Sequence, residues 1–104
     1  MSRGPDAATL IERGLIASAE AAGCAVTIPA CDCTRWASAT FVGAQHRLTL
    51  KARASVELDA WLVVLPEAEF AFRGHLVADL AVTRVSREGD TVTIQIEALT
   101  VEDR

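Results

Sequence analysis

Two segments in the second half of the chain alternate apolar and polar residues, and this alternation constrains the fold more than any other feature. The segments are Leu76–Val85 and Thr91–Val101. Because successive side chains of a strand point to opposite faces, each segment predicts a strand with one buried face. The tripeptide Arg87-Glu88-Gly89 fits a hairpin loop with glycine in the left-handed position. In the predicted register three apolar pairs face one another, namely Ala78 with Ala98, Leu80 with Ile96, and Val82 with Ile94.

An earlier hairpin is predicted in the middle of the chain. Residues Arg35–Val42 and Gln45–Ala54 also alternate, and Gly43-Ala44 fits a tight turn between them. The apolar face would hold three pairs, which are Phe41 with His46, Ala39 with Leu48, and Ala37 with Leu50. The polar face would hold Thr40 with Arg47, Ser38 with Thr49, and Trp36 with Lys51. One apolar and one polar face is typical of an antiparallel sheet with one side in water.

The first quarter of the chain predicts a helix and a short strand. Residues 6–22 predict the helix, because an aspartate that can cap it stands first and Gly23 follows as a stop. Cys24–Ile28 then alternates as a short strand, which Pro29 closes. Residues 30–34 predict a loop.

Between the two hairpins lies a segment that fits either a strand or a helix. The segment Val56–Leu65 alternates, yet its apolar residues also recur at helical spacing. We interpret it as a helix with Trp61 in the core, because Ser55 can cap it and Pro66 can end it. Residues 69–72 predict a short edge strand after it.

Together these elements predict an α+β fold. We expect a single antiparallel sheet of about five strands with two helices packed on one face, which makes a two-layer sandwich. The order of helices and strands allows an αββ pseudo-repeat. A chain of 104 residues has room for one domain, residues 1–104, with residues 1–5 as a flexible N-terminus.

Charge and composition exclude several classes of function. The formal net charge of −4 argues against a nucleic-acid binder, since binding to phosphates needs a surplus of lysine and arginine. No apolar run approaches the ~18 residues of a membrane helix, and residues 1–6 lack the apolar core of a secretory signal. Three cysteines are an odd number, which favours free thiols in a reducing compartment. We therefore expect a cytoplasmic protein that contacts neither nucleic acid nor membrane, and its preference for arginine over lysine is typical of GC-rich bacterial genomes.

The cysteines are the first candidates for a metal site. Cys24, Cys31 and Cys33 have the spacing C-x6-C-x-C, whereas zinc sites commonly leave about two to four residues between ligands. Cys24 also shares a strand face with Val26 and Ile28, which is typical of a small core residue. We expect inert free thiols and no cofactor, with a metal or redox site at Cys31 and Cys33 as the weaker alternative.

The histidines are candidates for acid–base chemistry. His75 and Asp79 resemble a base and its orienting acid, but four steps along a strand span roughly 13 Å, which is too far for contact. His46 falls on the predicted apolar face and is interpreted as a core or rim histidine. No phosphate loop, nucleophile elbow or zinc-protease motif is present. The sequence therefore favours a protein that is not an enzyme.

Charged residues on the predicted polar face form a second candidate site. The register of the second hairpin places Asp79 opposite Glu97, and like charges opposed across strands destabilise a sheet unless a cation lies nearby. Such a pair can hold a divalent metal or share a proton. Alternatively, the basic stripe of Arg47, Lys51 and Arg53 neutralises it, and we favour this interpretation. The stripe could also bind an anion.

Trp36 is the strongest candidate for a protein contact. Its predicted place on the polar face exposes a residue that is enriched in binding hot spots. We therefore predict a non-enzymatic protein-interaction module that acts through its outer sheet face, as a homodimer or with another protein. The alternative is a small-molecule-binding or enzymatic domain that uses Asp79, Glu97 and the basic stripe. The apolar residues expected on the outer face are Trp36, Val42, Val77, Val85 and Leu99.

Overall fold

Two helices lie against one face of an antiparallel sheet in the computed structural model, which describes residues 6–102. The predicted flexible N-terminus, residues 1–5, lies outside the described residues. The elements in chain order are α1 (Ala7–Ala21), β1 (Val26–Ala37), β2 (Val42–Arg53), α2 (Val56–Val64), β3 (His75–Glu88) and β4 (Thr91–Glu102), with a 3-10 turn at Leu65–Glu67 after α2. The sheet order is β1-β2-β4-β3, and all neighbouring strands are antiparallel. The α+β class is confirmed, but the described residues form four strands where about five were predicted.

Both helices begin at the predicted capping residues. The Asp6 carboxylate accepts a hydrogen bond of 2.9 Å from the backbone N–H of Thr9, and the Ser55 hydroxyl accepts one of 3.0 Å from the N–H of Leu58. Gly23 follows α1 with a φ of +92°, which favours glycine and ends the helix as predicted. The ambiguous segment in the middle of the chain is therefore a helix, stabilised at its start by a side-chain cap.

The first hairpin turns earlier than predicted. β1 runs through the residues that were predicted as a separate strand and loop, and the chain reverses at residues 38–41. There the N–H of Ser38 donates a 2.8 Å hydrogen bond to the carbonyl oxygen of Phe41. Pro29 does not end the strand, because it lies where the pairing of β1 with β2 shifts register. A bulge on an edge strand tolerates the missing proline N–H.

Gly43 has a packing role in β2 instead of the predicted role in a turn. It lies opposite Trp36, and the indole ring covers it. A Cβ atom at this position would lie 2.6 Å from Cζ2 of Trp36 and would overlap the carbonyl oxygen of Thr100. Trp36 is therefore a neighbour of Gly43 and not of Lys51, and the predicted register of this hairpin is wrong.

The second hairpin is also present, but in a different register. Gly89 and Asp90 form the turn, and Gly89 adopts the predicted left-handed conformation with a φ of +60°. β3 contains an extra residue at Ala78 and at Thr83, where its pairing with β4 shifts. Each extra residue shifts the phase of the apolar–polar alternation by one position, which the prediction of a regular strand did not take into account. The observed pairs are Leu80 with Ala98, Val82 with Ile96, and Val85 with Ile94.

The predicted edge strand at residues 69–72 is not formed. Only an isolated bridge joins Phe72 to His75. Instead the segment packs against α1, where the rings of Phe70 and Phe72 stack with their centroids 5.6 Å apart. Gly14 of α1 allows this approach, because a Cβ there would lie 2.7 Å from Cζ of Phe72.

The core lies between the helices and the even-numbered residues of β2 and β4. Trp61 is 2% exposed, as predicted for a core residue, and its indole N–H donates a 2.9 Å hydrogen bond to the Ser18 hydroxyl of α1. Within residues 6–102, none of the helices is both long and apolar enough to cross a membrane. The largest buried aliphatic side chains are Ile11, Leu15, Leu48, Leu50, Leu58, Leu65, Val92, Ile94 and Ile96.

Candidate functional site

The side of the sheet away from the helices, here called the outer face, is not covered by any other element among the described residues. It carries the odd-numbered residues of β2 and β4, because the even-numbered ones are mostly buried under the helices. Strand pairing aligns its side chains in rows that cross the sheet from β1 to β3. From the end with the first hairpin turn, the rows are Trp36, Gly43, Val101 and Leu76; Thr34, Gln45, Leu99 and Asp79; Asp32, Arg47, Glu97 and Ala81; Ala30, Thr49, Gln95 and Arg84; Thr27, Lys51, Thr93 and Ser86; and Arg53, Thr91 and Glu88.

The first of these rows is apolar, and Phe41 of the adjoining turn extends it. Trp36, Phe41, Leu76 and Val101 line a shallow hollow, and we call these four residues the apolar row. Phe41 and Leu76 are each 56% exposed. The indole nitrogen of Trp36 is buried without a hydrogen-bond partner, so packing alone holds this ring on Gly43.

The central row is charged. Arg47 lies between Asp32 and Glu97 in the strand pairing, so a cation has a carboxylate on each side. Nevertheless the ion pairs found in residues 6–102 are elsewhere, between Arg35 and Glu102 and between Arg87 and Asp59. The N–H groups of the Arg47 guanidinium are therefore available to donate hydrogen bonds to water or to a partner.

The other two members of the basic stripe lie at the far end of the outer face. Lys51 and Arg53 are exposed, and both border a shallow hollow that Asp90 also lines. Their row neighbours are mostly threonine and serine. Arg47, Lys51 and Arg53 thus share one strand face as predicted, but the row that contains Thr49 and Gln95 separates the lysine and the second arginine from the carboxylates of the central row.

The predicted pairing of Asp79 with Glu97 is wrong. Asp79 lies opposite Leu99, and Glu97 lies between Arg47 and Ala81. The two carboxylates occupy adjacent rows on neighbouring strands and are not directly opposed. The like-charge conflict that suggested a metal or a shared proton therefore has no basis in the observed register.

A small cavity lies on the other side of the sheet, between the N-terminus of α1 and the inner face. Its volume is about 180 Å³. Arg35 and Glu102, which form an exposed ion pair of 3.4 Å, both border it. The other polar side chains that line it are Asp6, Cys33, His75 and Thr100.

His46 lies buried beside Thr100 of this cavity. Its Nε2 is 2.9 Å from the Thr100 hydroxyl oxygen, and its Nδ1 is buried without a hydrogen-bond partner. Burial lowers the pKa of His46 below its ordinary value, which keeps the imidazole neutral near pH 7. The prediction of a core histidine is confirmed, since His46 is 0% exposed.

Cys31 and Cys33 do not lie in a loop, because β1 extends through them, whereas Cys24 precedes the strand that was predicted to contain it. Cys31 and Cys33 face the inner side of the sheet, opposite Leu48 and His46. Cys24 follows α1, and its thiol donates a hydrogen bond to a backbone carbonyl of that helix. All three thiols are free. Across residues 6–102, no three His, Cys, Asp or Glu side chains are grouped as metal ligands.

Predictions were also made for two further residue groups. His75 faces the inner side, whereas Asp79 points to the outer face, so the two do not form a dyad. Of the apolar residues expected on the outer face, Trp36 and Leu99 lie there. The other three, Val42, Val77 and Val85, pair with inner-face positions.

Sequence reasoning missed three members of the apolar row. Phe41 was assigned to the buried face of a strand, and it lies in the turn instead. Alternation with Ala78 and Leu80 put Leu76 on the buried face. The extra residue at Ala78 reverses this, and Leu76 lies on the outer face. Val101 continues the odd-numbered alternation of β4, and this signal was available in the sequence.

No family model, curated protein or solved structure matches this chain.

Proposed function

We propose that this chain is a non-enzymatic protein-interaction module whose outer sheet face is its docking surface. The observation that carries the proposal is the apolar row, which places two half-exposed side chains, Phe41 and Leu76, next to Trp36 at one end of an uncovered sheet. A cluster of aromatic and aliphatic side chains on an open surface is more often a site of protein contact than a surface that stays in water. A tryptophan that packing holds rigid loses little entropy on binding.

The polar rows beside the apolar row support the same function. Gln45, Thr49 and Gln95 present hydrogen-bonding groups to a partner, and the hydroxyl of Thr49 already donates a 3.0 Å hydrogen bond to the side-chain oxygen of Gln95. Arg47 and Glu97 add one charge of each sign at the centre. An apolar cluster flanked by polar and charged groups is the usual composition of a protein interface.

A catalytic or small-molecule site has weaker support. Typical ligand pockets have volumes of roughly 300–1,000 Å³. The cavity beside α1 holds about 180 Å³, and the hollows of about 360 Å³ that border Arg47, Lys51 and Arg53 are open to solvent. Neither Asp79 nor Glu97 lines the cavity beside α1. The basic stripe lies on an open strand face, where water screens its charges.

Two finer features belong to the same proposal. The two hairpins meet through β2 and β4, and each is preceded by a helix, so we propose that the chain is an αββ pseudo-repeat. We also propose that the module is cytoplasmic, because three free thiols suit a reducing compartment.

Co-purification with two matched variants tests the function. Leu76→Glu introduces a charge at a half-exposed position of the apolar row. Val56→Glu is the control, because Val56 is 79% exposed on α2, on the helical side of the sheet. We prefer Leu76 to Trp36 as the test position because Trp36 also packs on Gly43 and its loss would disturb the fold.

The expected result is a protein, either an untagged copy of this chain or a different one, that is retained by the tagged wild type and by Val56→Glu. Leu76→Glu should lose it, because a charge on the apolar row must be desolvated without a partner. Partners that all three tagged proteins retain equally would show that the outer face is not the docking surface.

A further inference from the structure

We propose that the partner on the outer face is a second copy of this chain, related by a two-fold axis that runs parallel to the strands, between β2 and β4. The inference rests on the proposed function and names the partner for the same surface. It is carried by the size of the face, by the positions of its apolar residues and by the order of its charges.

The outer face has the size that a stable dimer needs. Strands β1, β2 and β4 each have 12 residues, and β3 has 14. With strands about 4.8 Å apart and a rise of about 3.4 Å per residue, four such strands outline a face of roughly 700 Å². Standard interfaces bury about 800 Å² on each partner. Face-to-face contact of two copies would therefore use nearly the whole surface.

The proposed axis brings each row of one copy onto the same row of the other. It places β1 over the partner's β3 and β2 over the partner's β4. Trp36 then lies over the partner's Leu76, and by symmetry Leu76 lies over the partner's Trp36. The apolar row is buried against itself, which removes its most exposed side chains from water in both copies.

The same axis pairs opposite charges in the central row. Arg47 meets the partner's Glu97, and Glu97 meets the partner's Arg47, so the contact occurs twice in the dimer. Thr34 meets the partner's Asp79 and can donate a hydrogen bond to it. In no row do like charges meet, because Asp32 lies over the partner's Ala81 and Lys51 over the partner's Thr93. The face is self-complementary about this axis, as a two-fold interface requires.

An axis perpendicular to the strands gives a worse fit. It would place every strand over itself and reverse the order of rows. The apolar row would then cover the row of Arg53 and Glu88, so charged groups would lose water without opposite charges to meet them. The charged central row would cover the row of Thr49 and Gln95. The arrangement of residues therefore favours the axis parallel to the strands.

Charge reversal with mixing tests this geometry. Arg47→Glu sets a carboxylate against the partner's Glu97, and Glu97→Arg sets a guanidinium against the partner's Arg47. Each variant alone should self-associate at least about a hundredfold more weakly than the wild type, since like charges face each other twice. In a dimer with one copy of each variant, opposite charges face each other at both contacts, once as in the wild type and once with the two charges exchanged. We therefore expect native mass spectrometry of the mixture to show a dimer with one copy of each variant.

Lys51→Glu is the matched control, because it reverses a charge on the same strand and face but opposite a threonine. It should dimerise as the wild type does, and circular dichroism should show that all variants are folded. A dimeric wild type whose two single variants do not associate when mixed would overturn the proposed axis. If Leu76→Glu still broke that dimer, the proposed function would stand. A monomeric wild type with a different protein bound through Leu76 would overturn the second copy as partner and leave the function intact.

Discussion

Replacing Ile96 by alanine tests which face of the sheet is buried, and the whole description of the outer face depends on that. Ile96 is 1% exposed and lies between Leu48 and Val82 on the inner face. The substitution removes three buried carbons, which lose about 2.4 kcal/mol at about 0.8 kcal/mol per group. The cavity left behind adds on the order of 1 kcal/mol. We expect the free energy of unfolding to fall by about 3–4 kcal/mol.

Thr93→Ala is the control for that experiment. Thr93 belongs to the same strand, lies between Lys51 and Ser86 on the outer face, and should cost less than about 1 kcal/mol. Urea denaturation followed by circular dichroism measures both changes. A domain of this length has a stability of about 5–15 kcal/mol, so both variants remain folded without urea. If Thr93→Ala were the more destabilising change, the sheet would be inside out and the outer face would not be a surface.

Three further predictions concern packing, pH and thiol reactivity. Gly43→Ala should lower the free energy of unfolding by about 1–3 kcal/mol, because the added Cβ overlaps Trp36; unchanged urea denaturation would contradict this. Burial lowers the folded-state pKa of His46 below its ordinary value of 6.5, so the unfolded chain binds more protons and stability falls as pH drops below about 6.5. His46→Gln should show a smaller fall over that range in urea denaturation, and an equal fall would contradict the assignment. Cys33 should react first with Ellman's reagent, since it is exposed whereas burial raises the pKa of the Cys31 thiol, and Cys33→Ser should abolish the fast phase.

The elements that could be predicted are those with a local physical cause. Asp6 and Ser55 offer oxygens to free N–H groups at the start of each helix, and Gly23 permits the conformation that ends α1. The alternation in β4 reveals the buried face of the central strand. Such signals depend on a few neighbouring residues, so the sequence displays them directly.

The parts that could not be predicted depend on contacts between distant residues. Gly43 has the sequence context of a turn, yet glycine is needed there because a Cβ atom would overlap Trp36 and the backbone of Thr100. The extra residues at Ala78 and Thr83 shift the register of β3, and nothing in their composition distinguishes them from regular strand positions. Because these shifts were not predicted, Asp79 was expected opposite Glu97, whereas it lies opposite Leu99.

The candidate site was therefore predicted in part. Alternation correctly predicted that the basic stripe and Trp36 lie on the outer face, because a register shift by an even number of residues leaves each side chain on the same face. The neighbours of those residues did not follow from alternation, because each neighbour depends on the turn that sets the register. The basic stripe was expected to neutralise Asp79 and Glu97 together, whereas the strand pairing sets only Arg47 beside a member of that pair, Glu97.

Sedimentation equilibrium on the wild type and on Leu76→Glu at micromolar concentration tests the role of the outer face most directly. We expect the wild type to have twice the mass of the chain, and the variant to have the mass of one chain while its circular dichroism spectrum stays unchanged. Val56→Glu should match the wild type, since its position lies on the helical side. Equal masses for the wild type and Leu76→Glu would contradict self-association through the apolar row.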